Sequence, residues 1–402
     1  MTNIQNSDHQ VSSSKRDETV LFTNANLILN DEVVKGSVYV KDGLIADIDI
    51  SNSASLNGKA SNVIDCEGDF LSPGLVELHT DNLERHLQPR PGAHWPPQAA
   101  IVSHDAELAG VGISTVFDAL RIGSLPSQNA LGGLKRYARG VATTISEMRA
   151  QKMFRINHLL HLRAEICSET LVEEIEEFGI DDHIGIVSLM DHTPGQRQFR
   201  NLDKMAEYLR GKHSMTDAQV TAHFANLKKL QKENGERHEL AAVERGRFFG
   251  AVLASHDDTT LDDVQTSVDK GVGVAEFPTT LEAAKACKQR NISVMMGAPN
   301  LLRGGSHSGN VAAHELVEHG LLDILSSDYA PSSLLAGAVR LGLEMGNMAI
   351  GLKKVTQAPA QATKLDDRGS LEIGKRADML RFNLINDLPI TRGLWVAGKR
   401  VA

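Results

Sequence analysis

A chain of 402 residues, 41% hydrophobic and 23% charged, has room for a large core and for more than one structural unit. Its net charge of −9, from 42 Lys and Arg against 51 Asp and Glu, argues against a surface devoted to nucleic acid or to an anionic membrane, so an anionic ligand needs a local basic pocket. No apolar run is long enough to cross a bilayer and residues 1–19 lack an apolar secretory core, while three scattered cysteines, Cys66, Cys167 and Cys287, fit a reducing compartment; the expectation is a cytoplasmic protein, with a homo-oligomer left open.

Residues 1–17 are rich in Ser, Asn, Asp and Gln and are expected to form a disordered tail. From Val20 onward, short β-type runs at 20–22, 26–29, 33–34, 36–40 and 44–48 are separated by Asn-Asp and Asp-Gly turn signals, which predicts a small antiparallel sheet. The stretch 70–82 opens a different pattern, in which apolar strands alternate with segments long enough for helices. The further runs are 112–120, 156–166, 184–191, 248–255, 273–277, 292–296 and 322–327. With the first strand they number eight, the period of a (β/α)₈ TIM-type barrel, an α/β fold whose strands end in the loops that carry chemistry. The competing doubly wound sheet lacks its Gly-rich phosphate fingerprint here. After residue 365 the text returns to β-type runs, which predicts a composite β-sandwich domain built from residues 18–69 and 366–402 beside a barrel of residues 70–365.

The chemistry gathers at strand ends. Successive strand residues face opposite ways, so His79 and Asp81, with Thr80 between them, are expected on one face. Alone, such a pair reads as a strand end and a turn. Its company changes the reading: the third run ends near Glu165, the fourth at Asp191-His192, the fifth at His256-Asp257-Asp258 and the eighth at Ser327-Asp328. In a barrel these ends converge on one mouth, where the histidines and carboxylates could hold two divalent metal ions. Imidazole combined with carboxylate suits zinc, manganese or iron rather than calcium.

The words Pro73-Gly74-Leu75-Val76-Glu77-Leu78-His79, the isolated His192 and His256, the late Ser327-Asp328 and the closing Gly369-Ser370-Leu371-Glu372-Ile373-Gly374-Lys375-Arg376-Ala377-Asp378 together resemble the amidohydrolase superfamily from about residue 20 to the end. The longer stretch Glu77-Leu78-His79-Thr80-Asp81-Asn82-Leu83-Glu84-Arg85-His86, then Pro89-Arg90-Pro91-Gly92 and Ser327-Asp328-Tyr329-Ala330-Pro331, resembles those members that release pyrophosphate from a sugar triphosphate in phosphonate metabolism. The resemblance implies that His79 and Asp81 bind one metal, His192 and His256 the other, and Glu165 bridges them. It also implies that Asp328 ligates the first metal and takes a proton from the attacking water. Two departures stand out: the superfamily's usual His-x-His is His-x-Asp here, and a bridging modified lysine has no candidate.

A small-molecule sugar triphosphate needs positive charge. Arg85 and Arg90 follow the metal motif closely, and arginine forks match phosphate oxygens. Arg303, Gly304, Gly305 and Ser306 lie in a Gly-rich loop after the seventh strand, whose backbone N–H groups are free to approach an anion. Residues 196–247 hold 11 Lys and Arg against 7 Asp and Glu and read as two or more amphipathic helices, either a lid or a solvated hairpin. Two other functions fit the same text: an amide or cyclic-amide hydrolase on the same scaffold, and a catalytically silent barrel.

Overall fold

The computed structural model describes residues 19–51, 56, 58, 60–90, 92–126, 136–200, 202–213, 215–306 and 309–402; the expected tail of residues 1–17 lies outside them. Two eight-stranded sheets organise the chain. The first collects β1 (Thr19–Ile28), β2 (Val33–Lys41), β3 (Leu44–Asp49), β4 (Asn62–Asp65) and β5 (Phe70–Pro73) from one end of the chain. The second contains β6 (Leu75–Thr80), β7 (Ile113–Ile122), β8 (Asn157–Glu165), β9 (Ile184–Met190), β10 (Val252–His256), β11 (Val274–Glu276), β12 (Ser293–Gly297) and β13 (Ile324–Ser326). The other end adds β14 (Met379–Ile385), β15 (Leu388–Val396) and β16 (Lys399–Arg400) to the first sheet, in the order β16-β15-β14-β5-β1-β2-β3, with β4 beside β1. The composite origin expected from sequence is therefore present, in a sheet that is antiparallel except where β1 meets β4 and β5.

One boundary differs from expectation. Residues 70–82 read as one strand, yet Phe70–Pro73 pairs with β1 and β14 while Leu75–Thr80 pairs with β7. Proline ends one ladder and Gly74 lets the chain turn into the other: a Cβ at Gly74 would stand 2.4 Å from Ser114 Oγ. The barrel thus begins at Leu75, and the strand that carries His79 leaves directly from the small sheet.

In the second sheet β6 to β13 pair in sequence order, all parallel. Val76, Leu78, Phe117, Ile186, Val252, Ala254, Val274, Met295 and Ile324 fill the inside, and a larger apolar layer lies between the strands and the surrounding helices. Closure between the last strand and the first is short but well made. Asp328 N–H donates to His79 O at 3.1 Å, Asp81 N–H donates to Asp328 O at 2.9 Å, and Ser326 Oγ donates to His79 O at 2.5 Å. The buried Glu77 carboxylate completes the seam, accepting His79 N–H at 2.8 Å and Ser327 N–H at 2.7 Å. These bonds place the ends of the first and eighth strands side by side, which positions every group discussed below.

Residues 196–247 form a short 3₁₀ turn (Arg197–Arg200), the helix Leu202–His213 and the 33-residue helix Asp217–Phe249. Met205, Leu209, Val220 and Leu227 pack on Cys167, just past the end of β8, and His238 Nδ1 donates to Ile166 O at 2.9 Å. The pair therefore has an apolar side that rests on the barrel's C-terminal end and is not a freely solvated hairpin. Among the described residues no helix is long and apolar enough to cross a membrane.

Candidate metal centre at the barrel mouth

The alternation of β8 stacks His161, Arg163 and Glu165 on one face, rising from the barrel interior to its mouth. His192 follows β9, the fourth barrel strand, and His256 ends β10, the fifth, as the sequence count placed them. His79 reaches the same place from the first strand. Its ring lies 5.7 Å from that of His256, whose ring lies 5.5 Å from that of His192. The three predicted histidines thus form one continuous cluster.

Carboxylates hold this cluster from two sides. Glu165 accepts a hydrogen bond from His192 Nδ1 at 2.7 Å. Burial alone would raise its pKa, but the charge of His192 and then of Arg163 holds the carboxyl down at about 2. Below His79 and His256 sits Glu276, the last residue of β11 and 1% exposed. One of its oxygens lies 3.2 Å from His79 Nδ1 and 3.6 Å from His161 Nε2; the other accepts from His256 Nδ1 at 3.1 Å and from Ser188 Oγ at 2.8 Å. Against the penalty of burial, His79 and His161 drive this carboxyl well below the usual range. Asp257 adds an oxygen 3.4 Å from His256 Nε2. Asp257 and Asp328 are both pushed up, each chiefly by burial.

Several donor atoms at the mouth are buried without a hydrogen-bond partner. His79 Nδ1, Glu276 Oε1 and Asp257 Oδ2 are all buried and make no hydrogen bond, because the short contacts around them are misaligned for one. Unpaired imidazole nitrogen and carboxylate oxygen at such depth are costly unless a cation completes them. At the mouth, among the described residues, two groups have ligand atoms close enough to share an ion: His79, His256 and Glu276, and His192, His256 and Asp257. The residues present therefore fit divalent metal ions, with His256 common to both groups.

Among the predicted ligands, Asp81 takes a different course. It lies one residue past β6, at the entrance to the helix Asn82–Leu87, and its carboxylate pairs with the Arg163 guanidinium. The pairing of β6 with β7 shifts register between Glu77 and Thr80, so strict alternation does not carry through to Asp81. Asp81 and His79 consequently meet different partners. Asp328 stands beside the cluster with φ +55°, a backbone conformation that aspartate tolerates better than most residues, and His79 and Asp81 both act on its charge.

The proposed substrate contacts spread more widely. Arg85 is 58% exposed and donates from Nη2 to both carboxylate oxygens of Glu107, at 2.6 and 2.8 Å. Arg90 is exposed in the tight bridge it makes with Ala93. Arg303 ends the helix Ala298–Arg303, where Gly304 supplies the left-handed cap at φ +80°, and its guanidinium comes 3.5 Å from the hydroxyl of Tyr329, the neighbour of Asp328. Gly305 and Ser306 follow in the same loop, but the N–H groups expected to face an anion close the helix at two of these positions, Gly304 donating to Leu301 O at 3.3 Å and Gly305 to Asn300 O at 2.9 Å. Arg303 is thus the one of the three arginines tied to the eighth-strand end.

Two site residues escaped the sequence reading. Asp257 stood inside the His256-Asp257-Asp258 strand end, where three consecutive polar residues concealed which one turns inward. Glu276 is a lone acid at the end of the apolar run 273–277, and an ionisable residue at such a strand end was the available signal.

The fold agrees with the comparisons to known proteins. The amidohydrolase family matches residues 99–401, and the chain belongs to that family. It is 43% identical over 389 residues, 95% of this chain and 100% of the relative, to the alpha-D-ribose 1-methylphosphonate 5-triphosphate diphosphatase of Escherichia coli K12. It is 22% identical to the L-hydantoinase of Paenarthrobacter aurescens, over 90% of this chain and 79% of that protein. Among solved structures, the N-acetylglucosamine-6-phosphate deacetylase of Pasteurella multocida superposes with a TM-score of 0.59 at 14% identity, covering 95% of this chain and 99% of that one.

Proposed function

We propose that this protein is a metal-dependent diphosphatase that cleaves the phosphoanhydride of alpha-D-ribose 1-methylphosphonate 5-triphosphate, giving the 5-phosphate and pyrophosphate. The observation that carries this reading is the full-length 43% identity to a diphosphatase of that substrate, in a chain whose mouth gathers the required histidines and carboxylates. His79, His192, His256 and Asp257 are the residues here assigned to hold two divalent ions of the zinc, manganese or iron type. When bound, such ions act as Lewis acids toward phosphoryl oxygens and lower the pKa of water.

The chain's own groups supply the rest. Asp328, beside His79 and raised by burial, takes the proton of the attacking water at a carboxylate oxygen. Glu165 fixes the ring of His192 through Nδ1, which leaves Nε2 as that ring's outward donor. Arg163 holds Asp81 and balances part of the negative charge that the mouth collects. Arg303, whose guanidinium reaches the Tyr329 hydroxyl beside Asp328, is the assigned contact for the phosphate chain, with Arg85 and Arg90 as further candidates; the N–H groups of Gly304 and Gly305 close the helix on Leu301 O and Asn300 O.

An amide or cyclic-amide hydrolase is the second reading, supported by the weaker full-chain likeness to an L-hydantoinase, since one barrel mouth serves carbonyl or phosphorus. The deciding experiment offers a ribose 1-alkylphosphonate 5-triphosphate, a nucleoside triphosphate and a cyclic amide in parallel to metal-loaded protein. Pyrophosphate from the first substrate alone is the expected result. Turnover of the amide without pyrophosphate from either triphosphate would replace the diphosphatase reading.

A further inference from the structure

We propose that Glu276 is a metal ligand and takes, beside His79, the place that the His-x-Asp spelling of the first strand gives to Asp81. The assignment rests on the metal-dependent reading above and adds to it a carboxylate from the sixth barrel strand.

Three observations converge. Asp81, the carboxylate the sequence offers to His79, is paired with Arg163, and that guanidinium is itself almost enclosed. Ligation through Oδ1, the oxygen that meets Arg163, would cost that buried guanidinium its closest carboxylate, so the ion pair and ligation compete for that atom. Glu276 meanwhile divides its oxygens: Oε2 is taken up by hydrogen bonds from His256 Nδ1 and Ser188 Oγ, while Oε1 lies 3.2 Å from His79 Nδ1 without one. A separation of about 3 Å is what two neighbouring ligands show around an ion they each bind at about 2.0–2.2 Å.

The third observation separates ligation from a plain ion pair. His79 Nδ1 and Glu276 Oε1 are close, buried and oppositely suited, yet they are not aligned for a hydrogen bond, and among the described residues neither atom makes one elsewhere; the next nitrogen to Oε1, His161 Nε2, is 3.6 Å away. Two atoms that only needed each other would align, because a buried donor and acceptor left unpaired cost more than a small ring rotation. A shared third body explains why both point past one another. The remaining oxygen is steadied by Ser188 Oγ at 2.8 Å, so the carboxylate is held at one orientation from the fourth strand.

The test uses full-length protein and counts metal, not turnover. Wild type, Glu276→Gln, Glu276→Asp and Asp81→Asn are loaded with zinc, desalted and analysed for bound metal; a cobalt(II)-loaded set gives absorption spectra, and circular dichroism verifies folding. Glu276→Gln is expected to retain about one equivalent fewer than wild type and to change the cobalt bands, because an amide oxygen is a poor replacement for a carboxylate. Glu276→Asp, which keeps the charge but shortens the reach, is expected to keep the ion with affinity reduced by about tenfold or more. Asp81→Asn is expected to leave the metal count unchanged. A folded Glu276→Gln protein with the wild-type metal count and an unaltered cobalt spectrum overturns the assignment, as does loss of an equivalent in Asp81→Asn alone. Wild-type protein that retains no metal at all overturns the metal-dependent reading itself, which is a separate result.

Discussion

Two buried clusters of histidine and carboxylate lie in this barrel, and only one looks built for a metal. At the mouth, His79, Glu276 and Asp257 keep atoms without partners. In the outer layer, between β7, β8 and the helix Pro97–Gly110, His104, Asp118 and His158 also come within ligand distance of one another. There every nitrogen and oxygen is engaged. His104 Nε2 meets Asp118 Oδ1 at 2.8 Å and its Nδ1 accepts from Asn82 at 3.0 Å; His158 Nδ1 meets Asp118 Oδ2 at 2.7 Å and its Nε2 meets Asp105 at 3.3 Å. Asp105 in turn binds Arg155. The charges alternate and balance, so this cluster serves as a clamp between helix and sheet. Residue types alone do not separate the two; the accounting of partners does.

The largest effect expected from that contrast is on stability. Asp118→Asn takes from the fully buried His158 the nearer of its two carboxylates, leaving only Asp105, and should cost about 3–5 kcal/mol in denaturant unfolding while leaving the metal count unchanged. A loss of metal in that variant would break the distinction between the clusters. The same clamp has a pH signature. Burial would lower His158, but Asp118 and Asp105 raise it from 6.5 to about 9. A group raised on folding contributes stability fully below its unfolded pKa and loses it as pH rises through the folded value. Unfolding free energy should therefore decline between about pH 6.5 and 9, and this slope should flatten in Asp118→Asn; a slope of equal size in both proteins would remove His158 as its source.

At the mouth, Asp328→Asn keeps the side chain's shape but removes the base. Turnover should fall by at least about two orders of magnitude with substrate affinity retained, measured as kcat against KM for pyrophosphate release. Next, His192→Ala should lower the bound metal by about one equivalent, and His104→Gln should not; equal losses would mean that the clusters do not differ as described. The smallest effect concerns phosphate. Arg303→Ala should weaken a triphosphate inhibitor by about 1.5–3 kcal/mol, whereas Arg85→Ala, whose exposed guanidinium is already paired through Nη2 with Glu107, should cost less than about 1 kcal/mol. Equal weakening of mono-, di- and triphosphate analogues by Arg303→Ala would point to support of the loop in place of contact with the phosphate chain.

Much of this protein was legible in its sequence. Eight apolar runs at helix-length spacing define the barrel because each must bury both faces, and β-type runs at the two chain ends define the composite sheet because pairing them leaves fewer open strand edges than two separate sheets would. Glu165, His192, His256 and Asp328 could be picked out because barrel geometry sends strand ends to one mouth, whatever the intervening sequence. Three things depended on the tertiary structure. Gly74 divides what reads as one strand between two sheets, since its missing Cβ makes room for Ser114. A register shift turns Asp81 to Arg163, a partner 82 residues away. The lone Glu276 acquires its role only when strands 1, 3 and 5 bring His79, His161 and His256 around it. Periodicity is a property of neighbouring residues and can be read along the chain, whereas the partner that satisfies a buried charge is chosen by distance in space and has no trace in local order.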